Sequence, residues 1–223
     1  MISINDKRIL SVKVVDNHEK LVNILDLPRI YLPSQIVMED EERHKKMDDT
    51  KTPYLRETVK EKLGRAIANL PKEYSILLRE AYRKYDVQKY WYEKYFNEYK
   101  EKYPELSENE IVDKIKMYVS DPDKYSPHVT GGAIDLALLN KNREMVDVGQ
   151  YIEKKDAAQF DYKGLNKEQR KGRELLKSIM TEQGFVNYPY EWWHYSYGDK
   201  YWGYMKKIDA IYDSVQNVTV SIK

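Results

Sequence analysis

The chain of 223 residues contains no cysteine, which excludes disulfides and thiolate metal sites and leaves His, Asp and Glu as the side chains able to hold a metal. It lacks any run approaching the ~20 apolar residues needed to cross a bilayer. The N-terminal MISINDKRILSVKVVDNHEK scatters charges through every stretch that could serve as a signal peptide. A surplus of one charge is missing as well. The 38 Lys and Arg against 37 Asp and Glu give a net charge of +1, which offers no general attraction for nucleic acid or an anionic membrane. These absences lead us to expect a cytoplasmic protein with neither nucleic acid nor membrane as partner. They say nothing about oligomeric state.

With 41% apolar and 34% charged residues, the chain can bury a core beneath a heavily charged surface. Its length suits one domain over residues 1–223, with 1–50 as an N-terminal segment. Residues 8–15 and 29–37 read as short strands, and EDEERHKKMDD (39–49) as a solvated loop or helix end. His18 and His44 read as solvated rather than ligating. From Tyr54 to Leu70, apolar residues recur at three- and four-residue steps, as in an amphipathic helix. Residues 74–82 read as a buried strand. Residues 86–101 form a helix with a Tyr92, Tyr95, Phe96 and Tyr99 stripe that packs in a core or walls a cleft. Ser107 and Glu110 make a capping box for a helix reaching about Val119. Ala133–Leu139 reads as a strand, Asn166–Gln183 as a helix stopped by Gly184, and 190–197 as an aromatic strand. Helices and strands mix without βαβ alternation, so the expected class is α+β with a mainly antiparallel sheet flanked by helices.

Two stretches carry the chemistry. In SPHVTGGAID, two glycines between His128 and Asp135 argue for a bend, after which Asp135 enters an apolar strand. A carboxylate there is costly unless paired or bound to metal. On its own it reads equally well as an edge-strand residue facing solvent. In EWWHYSYGD, Glu191 precedes His194 by three positions, and a packed core has no use for that pair. His128, Asp135 and His194 together make an N/O ligand set that leaves a fourth zinc position for water. Glu191 would then be the base beside that water, from a turn entering the strand after Pro189.

SPHVTGGAIDLAL and EWWHYSYGDKYW resemble the SxHxxGxAxD and ExxH motifs of the VanX-type zinc D-alanyl-D-alanine dipeptidases. These belong to the wider LAS metallopeptidases, which share a fold with the hedgehog proteins. The resemblance runs from about Tyr54 to Trp202. It implies one zinc per chain on His128, Asp135 and His194, with Glu191 activating water and passing its proton to the leaving amine. Ala81-Tyr82-Arg83 is similar to the family's arginine element, which implies that Arg83 stabilises the oxyanion; Arg79 competes for that role without the motif context. Ser126 matches a substrate-binding serine. VGQYIE (148–153) ends on Glu153 where the family places an aspartate that meets the substrate ammonium. Lys84 stands where the family has proline, and Pro127 stiffens the first motif.

The function implied is hydrolysis of a free dipeptide such as D-Ala-D-Ala. A related D,D-carboxypeptidase or wall endopeptidase acting on longer peptides is the first alternative. A non-catalytic zinc-binding interaction domain is the second, and the intact Glu191 argues against it.

Overall fold

The structure is a computed structural model that describes residues 1–35, 53–116, 119–150 and 152–215. Its centre is a five-stranded sheet in the order β2 (Ile30–Tyr31), β4 (Ser75–Glu80), β5 (Ala133–Leu139), β7 (His194–Ser196) and β6 (Val186–Asn187). Every neighbouring pair is antiparallel except β2 with β4. A small antiparallel pair, β1 (Leu21–Asn23) with β3 (Tyr54–Arg56), lies apart from it. The class is α+β, as expected.

Strand β5 is apolar on both faces, apart from Asp135, because it runs through the middle of the sheet with helices beside it. Helix α2 (Glu57–Asn69) buries Val59, Leu63, Ala66 and Ile67 against this sheet. Fully burying a side chain such as Leu63 contributes about 2 kcal/mol. Helix α5 (Lys167–Thr181) opens on a capping box of Asn166 and Gln169. It adds Leu176, Ile179 and Met180 to the same core, and the chain then turns at Gly184, whose φ is +87°.

Helices α3 (Tyr85–Lys102) and α4 (Glu108–Ile115) form a separate layer. There the Tyr92, Tyr95, Phe96 and Tyr99 stripe packs on Ile111, Ile115 and Val119, so the stripe is core packing. The expected capping box at Ser107 and Glu110 is present. The far end of the α4 expectation, 117–118, lies outside the described residues, as does the 39–49 segment with His44. His18 is exposed and lies 3.6 Å from Asp16.

Three expectations are corrected. Residues 8–15 are not a strand: Lys7–Leu10 form a short helix, α1, because the Asp6 side chain caps the Arg8 N–H. Of the 29–37 strand, the described part is strand only at Ile30–Tyr31, since Pro33 begins a 3-10 turn; 36–37 lie outside the described residues. The aromatic run 190–197 is strand only over His194–Ser196. Before it the chain is a turn, in which the Glu191 N–H donates to the Tyr188 carbonyl at 3.0 Å and the His194 N–H to the Glu191 carbonyl at 3.1 Å. Among the described residues, no helix is long and apolar enough to cross a membrane.

Candidate active site

Strand register does most of the assembly. On β5 and β7, Asp135 is paired directly with His194, so the two side chains rise on one face of the sheet. Asp135 Oδ1 lies 3.0 Å from His194 Nδ1. On the other side of β5, the β4 ladder shifts between Leu78 and Glu80, which sets Glu80 opposite Asp135. Such bulges re-aim side chains next to functional sites.

His128 arrives from a 3-10 turn, Pro127–Thr130, that ends at Gly131 with φ +72°. That left-handed conformation and the close approach of Gly132 to the Tyr197 carbonyl explain the glycine pair. A Cβ at Gly132 would stand 2.4 Å from that oxygen. His128 Nδ1 is engaged by the Ala81 carbonyl at 2.9 Å, which leaves Nε2 facing Asp135 Oδ1 at 3.4 Å. The two imidazoles meet edge to face with centroids 5.0 Å apart.

One donor atom from each of His128, Asp135 and His194 lies within 4.8 Å of the other two. Two imidazole nitrogens, each with its other nitrogen already engaged, and one carboxylate oxygen are a donor set that suits zinc. The electrostatics fit a cation at this point. Burial alone would lower the His128 pKa, but the charge of Asp135, with that of Glu80, outweighs it and raises the pKa to about 9. Burial would raise the Asp135 carboxyl, and the two histidines more than reverse this. Each charge thus favours the other: the carboxylate raises the imidazole pKa and the imidazoles lower that of the carboxyl.

Glu191 stands on the turn before β7, with Oε2 3.8 Å from His194 Nδ1. The carboxyl reaches into a cleft that Arg83, Ser126, Trp193 and Tyr188 also line. Enclosure by the surrounding protein pushes its pKa up and Asp135 adds to this, against the pull of His194, His128 and Arg79. Arg83 is gripped by Glu80 through two guanidinium nitrogens and by the Gln88 carboxamide. The buried Gln88 is held in turn by the Ser120 carbonyl at 2.8 Å. Burial opposes the Arg83 charge, and Glu80, with Asp135 and Glu191, more than offsets it.

Of the expected site residues, His128, Asp135, His194, Glu191, Arg83 and Ser126 all line this one cleft. Glu153 does not. It is exposed and is absent from the cleft wall, so its expected meeting with a substrate ammonium has no support in this placement. Arg79 is also absent from the wall; its guanidinium lies over the Trp193 ring, 4.5 Å from the centroid.

Sequence reasoning missed the supports. Glu80 and Gln88 hold Arg83, and Ile4 of the N-terminal segment closes part of the cleft, its N–H reaching the Tyr188 hydroxyl at 3.5 Å. The alternation His194–Tyr195–Ser196 could have revealed a further one, since it puts Ser196 on the ligand's face of the strand.

Residues 36–216 match the D-ala-D-ala dipeptidase family. The D-alanyl-D-alanine dipeptidase of Synechocystis sp. is 30% identical over 182 residues, covering 69% of this chain and 73% of that protein. The D-alanyl-D-alanine dipeptidase of Enterococcus faecalis is 34% identical over 104 residues, 45% of this chain and 49% of the relative. Among solved structures, the vancomycin resistance D,D-pentapeptidase VanY in complex with Zn(II) aligns with a TM-score of 0.43 and 16% identity, over 72% of this chain and 84% of that one. The match spans both stretches that supply the cleft, the turn and strand of His128 and Asp135 and the Glu191–His194 segment, and on it this chain belongs to the D-ala-D-ala dipeptidase family.

Proposed function

We propose that this chain is a zinc peptidase that hydrolyses the amide of a free D,D-dipeptide, D-Ala-D-Ala in the first instance. The observation that carries the reading is the convergence of His128, Asp135 and His194 donor atoms beside the Glu191 carboxyl, in a chain of this family.

His128, through Nε2, Asp135, and His194, through Nδ1, are the residues that would hold the zinc. When bound, zinc supplies a Lewis acid and brings the pKa of water down to about 7. The remaining work falls to side chains. Glu191 takes a proton from the attacking water as its oxygen bonds to the scissile carbonyl carbon. Its raised pKa keeps it a competent base near neutral pH and a willing donor afterwards. Arg83, held by Glu80 and Gln88, donates to the carbonyl oxygen as that oxygen gains charge. When the C–N bond breaks, Glu191 returns the proton to the departing amine, and two free amino acids leave. Ser126 is buried on the cleft wall, and in this reading it hydrogen-bonds the substrate backbone. The same reading has the free dipeptide hydrolysed in the cytoplasm.

The test pairs metal analysis with hydrolysis. The purified protein should carry one zinc per chain and cleave D-Ala-D-Ala, with both lost in chelator. The His128→Ala, Asp135→Ala and His194→Ala variants should each hold zinc weakly. Tight, full-occupancy zinc in all three would remove these residues as ligands. Zinc bound without hydrolysis would favour the interaction-domain alternative.

A further inference from the structure

The segment that carries Glu191 and His194 runs on through Ser196 to Asp199, and neither of these two enters the reaction described above. Both are fully buried. Ser196 follows His194 at the two-residue spacing of a strand and so shares its face. Its Oγ lies 3.3 Å from His194 Nε2, on the side of the ring away from Asp135. Gly198, with φ +76° and the Tyr212 ring filling the space a Cβ would need, then turns the chain. The turn brings Asp199 to the N-cap of helix α6 (Lys200–Lys206), where its Oδ1 accepts the Trp202 N–H at 2.9 Å. Its Oδ2 is sealed from solvent without a hydrogen bond of good geometry. Burial raises the Asp199 pKa, and the Trp202 N–H and the nearby Ser196 and Tyr125 hydroxyls favour the ionised carboxylate against this. The Tyr125 oxygen accepts the Tyr201 N–H at 3.1 Å, so its own proton can point at Asp199.

The donor and acceptor count gives this arrangement a direction. A neutral imidazole has one N–H and one lone pair. For His194 to bind a metal through Nδ1, its proton must sit on Nε2, and the Ser196 oxygen must then accept it. Ser196 can do so only if its hydroxyl proton goes elsewhere, and an ionised Asp199, which only accepts, is the group placed to take it.

We infer that Asp199, acting through Ser196, fixes His194 with its proton on Nε2 and so presents the Nδ1 lone pair to the metal centre. Both are positioning residues, and the inference rests on the reading of His194 as a zinc ligand. Groups bonded directly behind a ligand, as Ser196 is, typically change metal affinity about 10- to 100-fold, and Asp199 acts on that bond from one step further back.

Asp199→Asn separates this role from capping. Asparagine caps a helix as well as aspartate does. With its oxygen kept on Trp202, however, its amide nitrogen would donate toward Ser196 and reverse the chain. Two readouts apply: the zinc dissociation constant measured against a competing chelator, and the His194 ring N–H resonance in zinc-loaded, nitrogen-15-labelled protein. Asp199→Asn should weaken zinc binding by about 10- to 100-fold and shift or broaden the Nε2–H signal. Ser196→Ala should act in the same direction, while Tyr125→Phe should leave both readouts close to wild type. Zinc held as tightly as in wild type by Asp199→Asn, with an unmoved ring signal, would overturn the inference; if that variant did not fold, an unchanged affinity in Ser196→Ala would do so. A wild-type protein that bound no zinc at all would instead overturn the ligand reading itself.

Discussion

The backbone N–H of Arg83 donates to the carbonyl oxygen of His128 at 3.1 Å, while His128 Nδ1 bonds the carbonyl of Ala81 two residues earlier at 2.9 Å. The chain segment that carries the oxyanion candidate is thus tied twice to the turn that carries a metal-ligand candidate. Displacing one displaces the other, so the arginine and the ligand set hold a fixed relation before substrate arrives.

Zinc uptake should depend steeply on pH. His128 holds a proton up to a pKa of about 9, and binding through Nε2 must displace it. The affinity should rise with pH and level off above about 9. Below that it should fall roughly tenfold per pH unit for each proton displaced. Calorimetry in buffers of different ionisation heat would count those protons. Without metal, the same raised pKa stabilises the fold fully below the ordinary histidine value of 6.5, and that contribution is lost as pH climbs through about 9. An affinity flat between pH 6.5 and 9 would contradict this account.

Glu191→Gln should retain zinc and lose turnover, because the carboxamide keeps the shape and cannot accept the proton. General acid–base catalysis contributes ~10²–10⁴-fold, so a loss of that size is expected in kcat. Near-normal turnover in this variant would assign the base elsewhere.

Arg83→Ala should lower kcat by ~10²–10³-fold with a smaller change in KM, since the charged oxygen exists only along the reaction path. Arg79→Ala should cost less, because Arg79 stacks on Trp193 and is absent from the cleft wall. A KM effect alone at Arg83 would make it a carboxylate-binding residue. Equal losses at both positions would show that the wrong arginine has been chosen.

Free D-Ala-D-Ala should be cleaved better than its N-acetylated form or a D-Ala-D-Ala-terminated pentapeptide. Ile4 and the α4 side of the cleft, at Val119 and Ser120, close the space around the ligand candidates. Comparing kcat/KM across the three substrates decides between dipeptidase and carboxypeptidase. Because Glu153 is exposed away from this wall, Glu153→Gln should leave the ranking intact.

The residues that converge in the cleft were legible because their constraints are local and chemical. A carboxylate in an apolar strand, a glycine pair before it and a Glu–His pair among tryptophans each violate ordinary packing, and each has a chemical reason in the cleft. The helix cap at Ser107 was legible for the same kind of reason, whereas the one at Asn166 was not read from the sequence. Tertiary context hid the rest. Lys7–Leu10 looks extended by composition and is helical because Asp6 caps it. The aromatic run before His194 favours strand by propensity, yet turns because it must place Glu191 near the ligand candidates. Glu153 was assigned from a motif position alone, and where its chain segment passes the cleft depends on long-range packing that no local pattern records.

The three residue pairs that join β5 to β7 carry one further consequence. Side chains alternate along a strand, so sliding β7 by a single residue would swing His194 to the opposite face and bring Tyr195 or Trp193 across from Asp135. Burial of Tyr195 already opposes such a slip, and an ion shared by Asp135 and His194 would penalise it further. The metal would then act as a register clamp, cross-linking the middle of the sheet to its last two strands. Amide protons of His194–Ser196 should exchange measurably faster after zinc is stripped than those of β4 with β5, where the ladder is longer.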